Sequence, residues 1–183
     1  IPTPFEIRKY DAVKKNNNTK IGYFGSYGKK QRNIGNICNA VSELNIPMII
    51  CGYGDVELPK GIELKARCST AELEKEEKEC NIIFIMENRY IRLSNGEFGC
   101  LQVPGKLYHY ANSNYYIVVV CEGELLKDYY SKYGRYIFCE NKVDDIKDTI
   151  QAILSGKKDN TVHRVEEFEG HNIAESIVKL IGE

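Results

Sequence analysis

The sequence lacks a charge excess, a long apolar run and any closely spaced pair of cysteines. Its 25 basic and 26 acidic side chains leave a formal net charge of −1. A protein that neutralises many phosphates needs a basic surplus, so nucleic-acid binding is not expected. No stretch approaches the ~20 apolar residues of a membrane-spanning helix, and the first residues do not read as a signal peptide. The 7 cysteines are an odd number, and no two stand as Cys-x-x-Cys. That spacing offers neither a zinc site nor a disulfide framework. The thiols read as reduced, small apolar residues of a cytoplasmic protein. The 3 histidines are scattered, so no metal is expected. Gly-x-x-x-x-Gly-Lys-Ser/Thr and Gly-x-Gly-x-x-Gly are both missing, which excludes a P-loop and the dinucleotide fingerprint. A phosphoacceptor receiver needs acidic residues after the first strand, where Gly25, Ser26 and Tyr27 stand instead.

What is present is 183 residues with 43% hydrophobic content, enough for one domain with a core. Residues 1–19 carry two prolines and an asparagine run and read as an interdomain connector. Their start, without Met, suggests a piece of a longer protein. Apolar strands are expected at 20–25, 48–51, 62–66, 82–86, 116–121 and 135–139. Between them lie helical patterns. Ile34, Ile37, Cys38, Val41 and Leu44 form one face. Ser69 and Glu72 have capping-box spacing before a charged helix. A further helix is expected over 123–133. Asn141 is placed to cap a helix with Val143, Ile146, Ile150, Ile153 and Leu154 on its inner face and Gly156 as its stop. Residues 157–183 give a polar link and a final helix over 166–181.

Strands that are apolar throughout, alternating with helices, predict a parallel sheet covered on both faces. The fold class is therefore a doubly wound, Rossmann-like α/β domain over 20–156. Its ligand site is expected beyond the carboxyl ends of the strands, where the strand order switches.

Two stretches there could hold an anion. Gly25, Ser26, Tyr27 and Gly28 form a strand-to-helix turn followed by Lys29, Lys30 and Arg32. Glycines let backbone N–H groups approach a phosphate, and the cations add charge. The second stretch is Pro104, Gly105, Lys106 and Leu107, read as a helix start with Pro104 in the first helical position. Val103 has no oxygen to cap that turn. A lysine is disfavoured there unless an anion docks. Arg67 and Cys68 are candidates for the rim of a base pocket. Glu97 and His109 could meet sugar hydroxyls. Each stretch also has a plainer reading, as a tight turn, a helix cap or a solvated lysine.

The run Gln102-Val-Pro-Gly-Lys-Leu-Tyr-His-Tyr-Ala111 resembles the Pro-(Gly/Ser)-Lys helix of GT-B-fold glycosyltransferases of the bacterial capsule and lipopolysaccharide type. Ile21–Ser26 is similar to the strand and glycine loop that open that family's C-terminal half. Val165–Ala174 is similar to its closing helix. The likeness spans about 20–181. His109 stands where many relatives have glutamate, Asn114 and Tyr115 replace a Lys-Pro pair, and Glu97 faces Gly105 in place of a second glutamate. The resemblance implies one half of a GT-B fold that binds a UDP- or GDP-sugar, with no metal and no tightly bound cofactor. Lys106 and Arg32, with Lys29, would stabilise the departing diphosphate. The acceptor site and any catalytic base would come from a missing N-terminal half, which could also lie against the inner face of the membrane. This piece alone would be inactive. Two other readings stand beside it: a nucleotide-sugar epimerase of the same build, and a non-catalytic α/β interaction module.

Overall fold

The computed structural model describes residues 19–66, 68–87, 91–92, 98–99, 103–121, 124–161, 163, 165–168 and 170–181. The chain runs β1 (Ile21–Phe24), α1 (Gly35–Glu43), β2 (Met48–Cys51), β3 (Ile62–Lys65), α2 (Thr70–Glu79) and β4 (Ile82–Met86). Next come β5 (Ile91–Arg92) and β6 (Phe98–Gly99), an antiparallel pair that sequence patterning did not anticipate. They lead to α3 (Gly105–His109), β7 (Tyr116–Cys121), α4 (Leu125–Tyr130), β8 (Ile137–Glu140), α5 (Val143–Leu154) and α6 (Gly170–Ile181). Short 3₁₀ turns at Ser131–Tyr133 and Glu166–Phe168 follow α4 and precede α6.

Six strands form one parallel sheet in the order β3-β2-β1-β4-β7-β8. The fold is the expected doubly wound, Rossmann-like α/β architecture, and its order reverses between β1 and β4. The two-residue period of the strands fills both faces. Met48, Ile50, Ile82, Phe84, Val118 and Val120 pack with Ile37, Cys38 and Val41 of α1 and Ile146 and Ile150 of α5. Ile49, Cys51, Ile83, Ile85, Ile117 and Val119 face the other way, onto Leu107, Tyr110, Leu126, Tyr130 and Phe168. Burial on both faces is why these strands read as continuous apolar runs.

Local chemistry sets several ends. Ser69 and Glu72 make the anticipated capping box. Asn141 does not cap α5. The N-cap is Lys142 with no side-chain bond, and the Asp145 carboxylate, inside the first turn, accepts the Glu140 N–H at 2.6 Å. Leu154 is 50% exposed, so the inner face of α5 ends at Ile153. Pro104 is the N-cap of α3 and not its first helical residue. Strand β8 begins at Ile137, because Arg135 and Tyr136 turn inward to other work.

Arg135 is fully buried. Its guanidinium donates to the carbonyls of Ala111 at 2.8 Å, Ser113 at 2.7 Å, Asn160 at 2.9 Å, Tyr115 at 3.0 Å and Tyr110 at 3.3 Å. Buried Asn160 returns the tie by donating to the Arg135 and Ile117 carbonyls. One side chain thus joins the end of α3, the entry to β7 and the link beyond α5. Strands β1 and β2 are also held unusually close at their ends. A Cβ on Gly52 would lie 1.9 Å from the Gly25 carbonyl oxygen, so only glycine fits.

Two stability effects follow. Arg135→Met should cost about 3–5 kcal/mol in urea unfolding, since it takes the guanidinium donors away from several buried carbonyls at once. Arg135→Lys should recover only part, because an ammonium cannot span the same carbonyls. Gly52→Ala should cost about 1–3 kcal/mol by the same measurement, as β1 and β2 are forced apart.

Candidate functional site

The order reversal puts the ends of β1 and β2, the loop after β3 and the start of α3 at one edge of the sheet. They enclose a cleft of about 300 Å³. Phe24, Cys51, Cys68 and Leu73 give it apolar surface, and Tyr53, 63% exposed, adds an aromatic wall. Gly25, Ser26, Gly52, Ala66 and Lys106 complete the lining. Lys106 therefore meets the glycine turn after β1, although the two stretches are far apart in sequence. Its Cε lies 3.8 Å from the place a Cβ on Gly25 would occupy, and its ammonium sits 5.5 Å from the centre of the Tyr110 ring.

A second pocket of about 350 Å³ shares Ser26 with the first. Tyr27, Gly28, Lys29, Lys30, Gln31, Arg32 and Asp55 line the rest of it. Four cations, Lys29, Lys30, Arg32 and Lys106, thus flank Ser26 across two adjoining pockets.

The glycine turn differs from an open cradle of amides. Gly25 N–H donates to the Cys51 carbonyl at 2.9 Å, and Tyr27 N–H to the Tyr53 carbonyl at 3.1 Å. Gly28 N–H reaches the Arg32 carbonyl at 3.4 Å, and Lys29 N–H donates to Asp55 Oδ1 at 2.8 Å. Arg32, with φ at 52°, folds back so that its Nη1 donates to Ser26 Oγ at 3.1 Å. Four backbone amides of this loop are thus spent on the protein itself, and Ser26 and the cationic side chains line the pockets.

Tyr27 is packed in the core, its ring edge-on to Tyr23 at 6.4 Å. Tyr23 Oη donates to the Ser26 carbonyl at 2.9 Å, and burial pushes its phenol up to about 12. Tyr23 therefore braces Ser26, and Tyr27 packs on the Tyr23 ring. Leu107 is fully buried, and its N–H donates to the Pro104 carbonyl at 3.0 Å. It offers a ligand neither side chain nor amide. His109 is half-buried with its ring edge-on to Tyr110 at 4.8 Å, and it lines neither pocket. Pro104 and Gly105 start a helix of 5 residues and line neither pocket. So short a helix carries little dipole, which leaves the Lys106 ammonium as the main attraction for an anion here. Arg67 and Glu97 lie outside the described residues.

Helix α3 is fixed from several sides. Tyr136 Oη donates to the Leu107 carbonyl at 2.8 Å, and Arg135 holds the Tyr110 and Ala111 carbonyls. Tyr110 Oη donates to buried Glu77, and the Tyr108 and Tyr130 hydroxyls meet at 2.6 Å. Sequence reasoning did not single out Tyr53, Asp55, Phe24 or Leu73. The Gly52-Tyr-Gly54 breaker was a usable signal for the first two, once β2 is known to lie beside β1.

Among the described residues no group of three or more His, Cys, Asp or Glu could hold a metal ion. Among them, too, no helix is long and apolar enough to cross a membrane.

No protein-family model matches the sequence, and no curated protein sequence does. Solved structures do match in fold. The UDP-GlcNAc 2-epimerase of Neisseria meningitidis, bound to UDP-GlcNAc, aligns with a TM-score of 0.56 at 12% identity. The alignment covers 90% of this chain and 46% of that one. A putative UDP-N-acetylglucosamine 2-epimerase from Listeria monocytogenes aligns at 0.55 and 9% identity, over 90% and 44%. The S. aureus MnaA-UDP co-structure aligns at 0.57 and 13% identity, over 94% and 47%. The chain thus spans about half the length of the structures it matches, and it shares the fold of that half.

Proposed function

We propose that this chain is the nucleotide-sugar-binding half of a two-domain cytoplasmic enzyme. The observation that carries the reading is the meeting of Lys106 with the Gly25–Ser26 turn beside an aromatic and apolar slot. A flat base suits the slot walled by Tyr53, Phe24 and Leu73, with Cys68 at its rim. A diphosphate suits the cations around Ser26. Gly25, Ser26, Gly28, Lys29 and Lys106 surround the phosphates in this reading, with His109 serving by packing on Tyr110. Two of the matching structures are named for UDP-sugar epimerases and the third for its UDP complex, which supports a nucleoside diphosphate as the ligand.

Two reactions fit this binding half. In the first, glycosyl transfer for cell-surface polysaccharide, the bond between sugar and diphosphate breaks and negative charge grows on the leaving phosphate. Lys106 and Arg32 stabilise that charge more than they stabilise the bound ground state, which lowers the barrier. The Pro104–Lys106 sequence likeness supports this reading. In the second, sugar epimerisation, the same groups hold the diphosphate while the sugar is rearranged. The names of the structural neighbours support it equally. Both readings leave the acid–base groups to the other half. Product analysis of the two-domain enzyme with UDP-GlcNAc, with and without a sugar acceptor, separates them.

For this chain, calorimetry should show weak binding of UDP or GDP and no turnover. Lys106→Ala should weaken it about tenfold or more, the worth of a charge-assisted bond to phosphate. No heat with either nucleotide would count against the reading. Asp55→Asn keeps an acceptor for the Lys29 N–H but removes a negative charge from the pocket, so affinity should rise about two- to fivefold at low salt.

A further inference from the structure

The nucleotide-sugar reading gives no chemistry to the two thiols at the cleft. Cys51 ends β2, and Cys68 follows β3, the neighbouring strand, in which Lys65 pairs with Cys51. Both cysteines line the same cleft of about 300 Å³. Cys68 packs against the apolar cluster that contains Cys51. Cys51 is only 5% exposed, whereas Cys68 is half-buried and open to the cleft. The surroundings separate the two. Burial pushes the Cys51 thiol up to about 12, and the adjacent Cys68 thiol and the Glu76 carboxylate act in the same direction while Lys65 opposes them. Lys106 lines the cleft as the further cation. Cys80 belongs to the same cluster but is fully buried and gives its S–H to the Glu76 carbonyl at 3.3 Å, so no reagent reaches it.

We infer that Cys68 and Cys51 form a thiol–disulfide exchange site, open through the cleft to low-molecular-weight disulfides. Cys68 is the attacking thiol and Cys51 the resolving one. In the first step the Cys68 thiolate attacks one sulfur of the small disulfide. Its S–S bond breaks, a mixed disulfide forms on Cys68, and a small thiolate leaves and takes up the proton that Cys68 gave. In the second step Cys51 loses its proton and attacks the Cys68 sulfur. The Cys51–Cys68 bond forms, the mixed disulfide breaks, and a second small thiol departs. Two protein thiols are oxidised by two electrons, and one disulfide is reduced to two thiols. A Cys51 held protonated makes the second step the slow one, and raising the pH speeds it by populating the thiolate.

This chemistry does not depend on what the cleft binds, so its test is separate from nucleotide titration. The chain is incubated with oxidised glutathione over a pH series, quenched with acid and mapped by mass spectrometry. The expected result is glutathione on Cys68 first, then a Cys51–Cys68 bridge that forms faster at higher pH. Cys51→Ser should stop at the mixed disulfide, and Cys68→Ser should leave Cys51 unmodified. Because Cys51 is a core residue, Cys68→Ser, at the half-buried rim, decides the matter if the Cys51 variant does not fold. The inference is overturned if Cys68 stays reduced while the urea-unfolded chain reacts. It is equally overturned by a bridge to Cys80 or Cys100, or by modification of Cys51 in the Cys68→Ser chain.

Discussion

The guanidinium of Arg135 lies buried between the end of α3 and the start of β8, donating to carbonyls of Tyr110, Ala111, Ser113, Tyr115 and Asn160. Helix α3 needs such help. It has 5 residues, far below the length at which an isolated helix holds together in water. Arg135 and Tyr136 donate to carbonyls at its C-terminal end and tie it to the body of the protein. A cation at a helix C-terminus also has the favourable sign for the peptide dipoles. The position of Lys106 in the cleft is therefore set from the entry to β8, on the far side of β7. Any change that loosens Arg135 shifts the ammonium as well as lowering stability.

The cleft at the order reversal handles charge by side chains, with the loop amides largely committed to the protein. In anion sites built from backbone nests the donors are rigid and cost nothing to position. Here the β1 loop spends those donors on the β2 carbonyls, on Arg32 and on Asp55. The exchange has a structural cause. Gly52 and Gly25 bring the ends of β1 and β2 so close that their loops bond to each other. The closeness gives the slot a firm floor and leaves lysines and an arginine as the positive charge that lines the two pockets. Such side-chain charge is screened by salt and opposed by the Asp55 carboxylate in the same pocket.

Most of the sheet was legible because burial on both faces leaves an unmistakable mark: Ile82–Met86 and Tyr116–Cys121 carry no polar break. The capping box at Ser69 and the stop at Gly156, with φ at 74°, were legible because they are local. Arg135 was not. An arginine before a strand reads as a surface residue, and its acceptors lie 20 to 25 positions away, so nothing nearby announces its burial. Asn141 misled for the opposite reason: a good capping residue stood one place before the actual N-cap, Lys142, and the Asp145 carboxylate is turned back to the Glu140 N–H. The site divides along the same line. Lys106 and Ser26, which line the cleft, could be named from local turn chemistry. Tyr53 and Asp55 line the two pockets only because β2 lies next to β1, a pairing that residue order leaves open. Leu107 and Tyr27 lie at the expected positions but point into the core.

An open cleft of this kind has a built-in limit. A lysine 4 Å from a phosphate charge in bulk water gains only about 1 kcal/mol, and about 4 kcal/mol where the effective dielectric falls to that of a partly buried pair. The two pockets beside Ser26 are lined by exposed Lys29 and Lys30 and half-buried Arg32 and Lys106, so water still screens them. On the two-domain reading, the same cations hold a diphosphate loosely while the cleft is open and act strongly once another domain covers it and expels water. Charge developing on a leaving phosphate would then meet groups whose positions Arg135 and the paired strand ends have already fixed. Binding and catalysis would thus use one set of side chains at two dielectric strengths, and domain closure, not a new residue, would convert the first into the second.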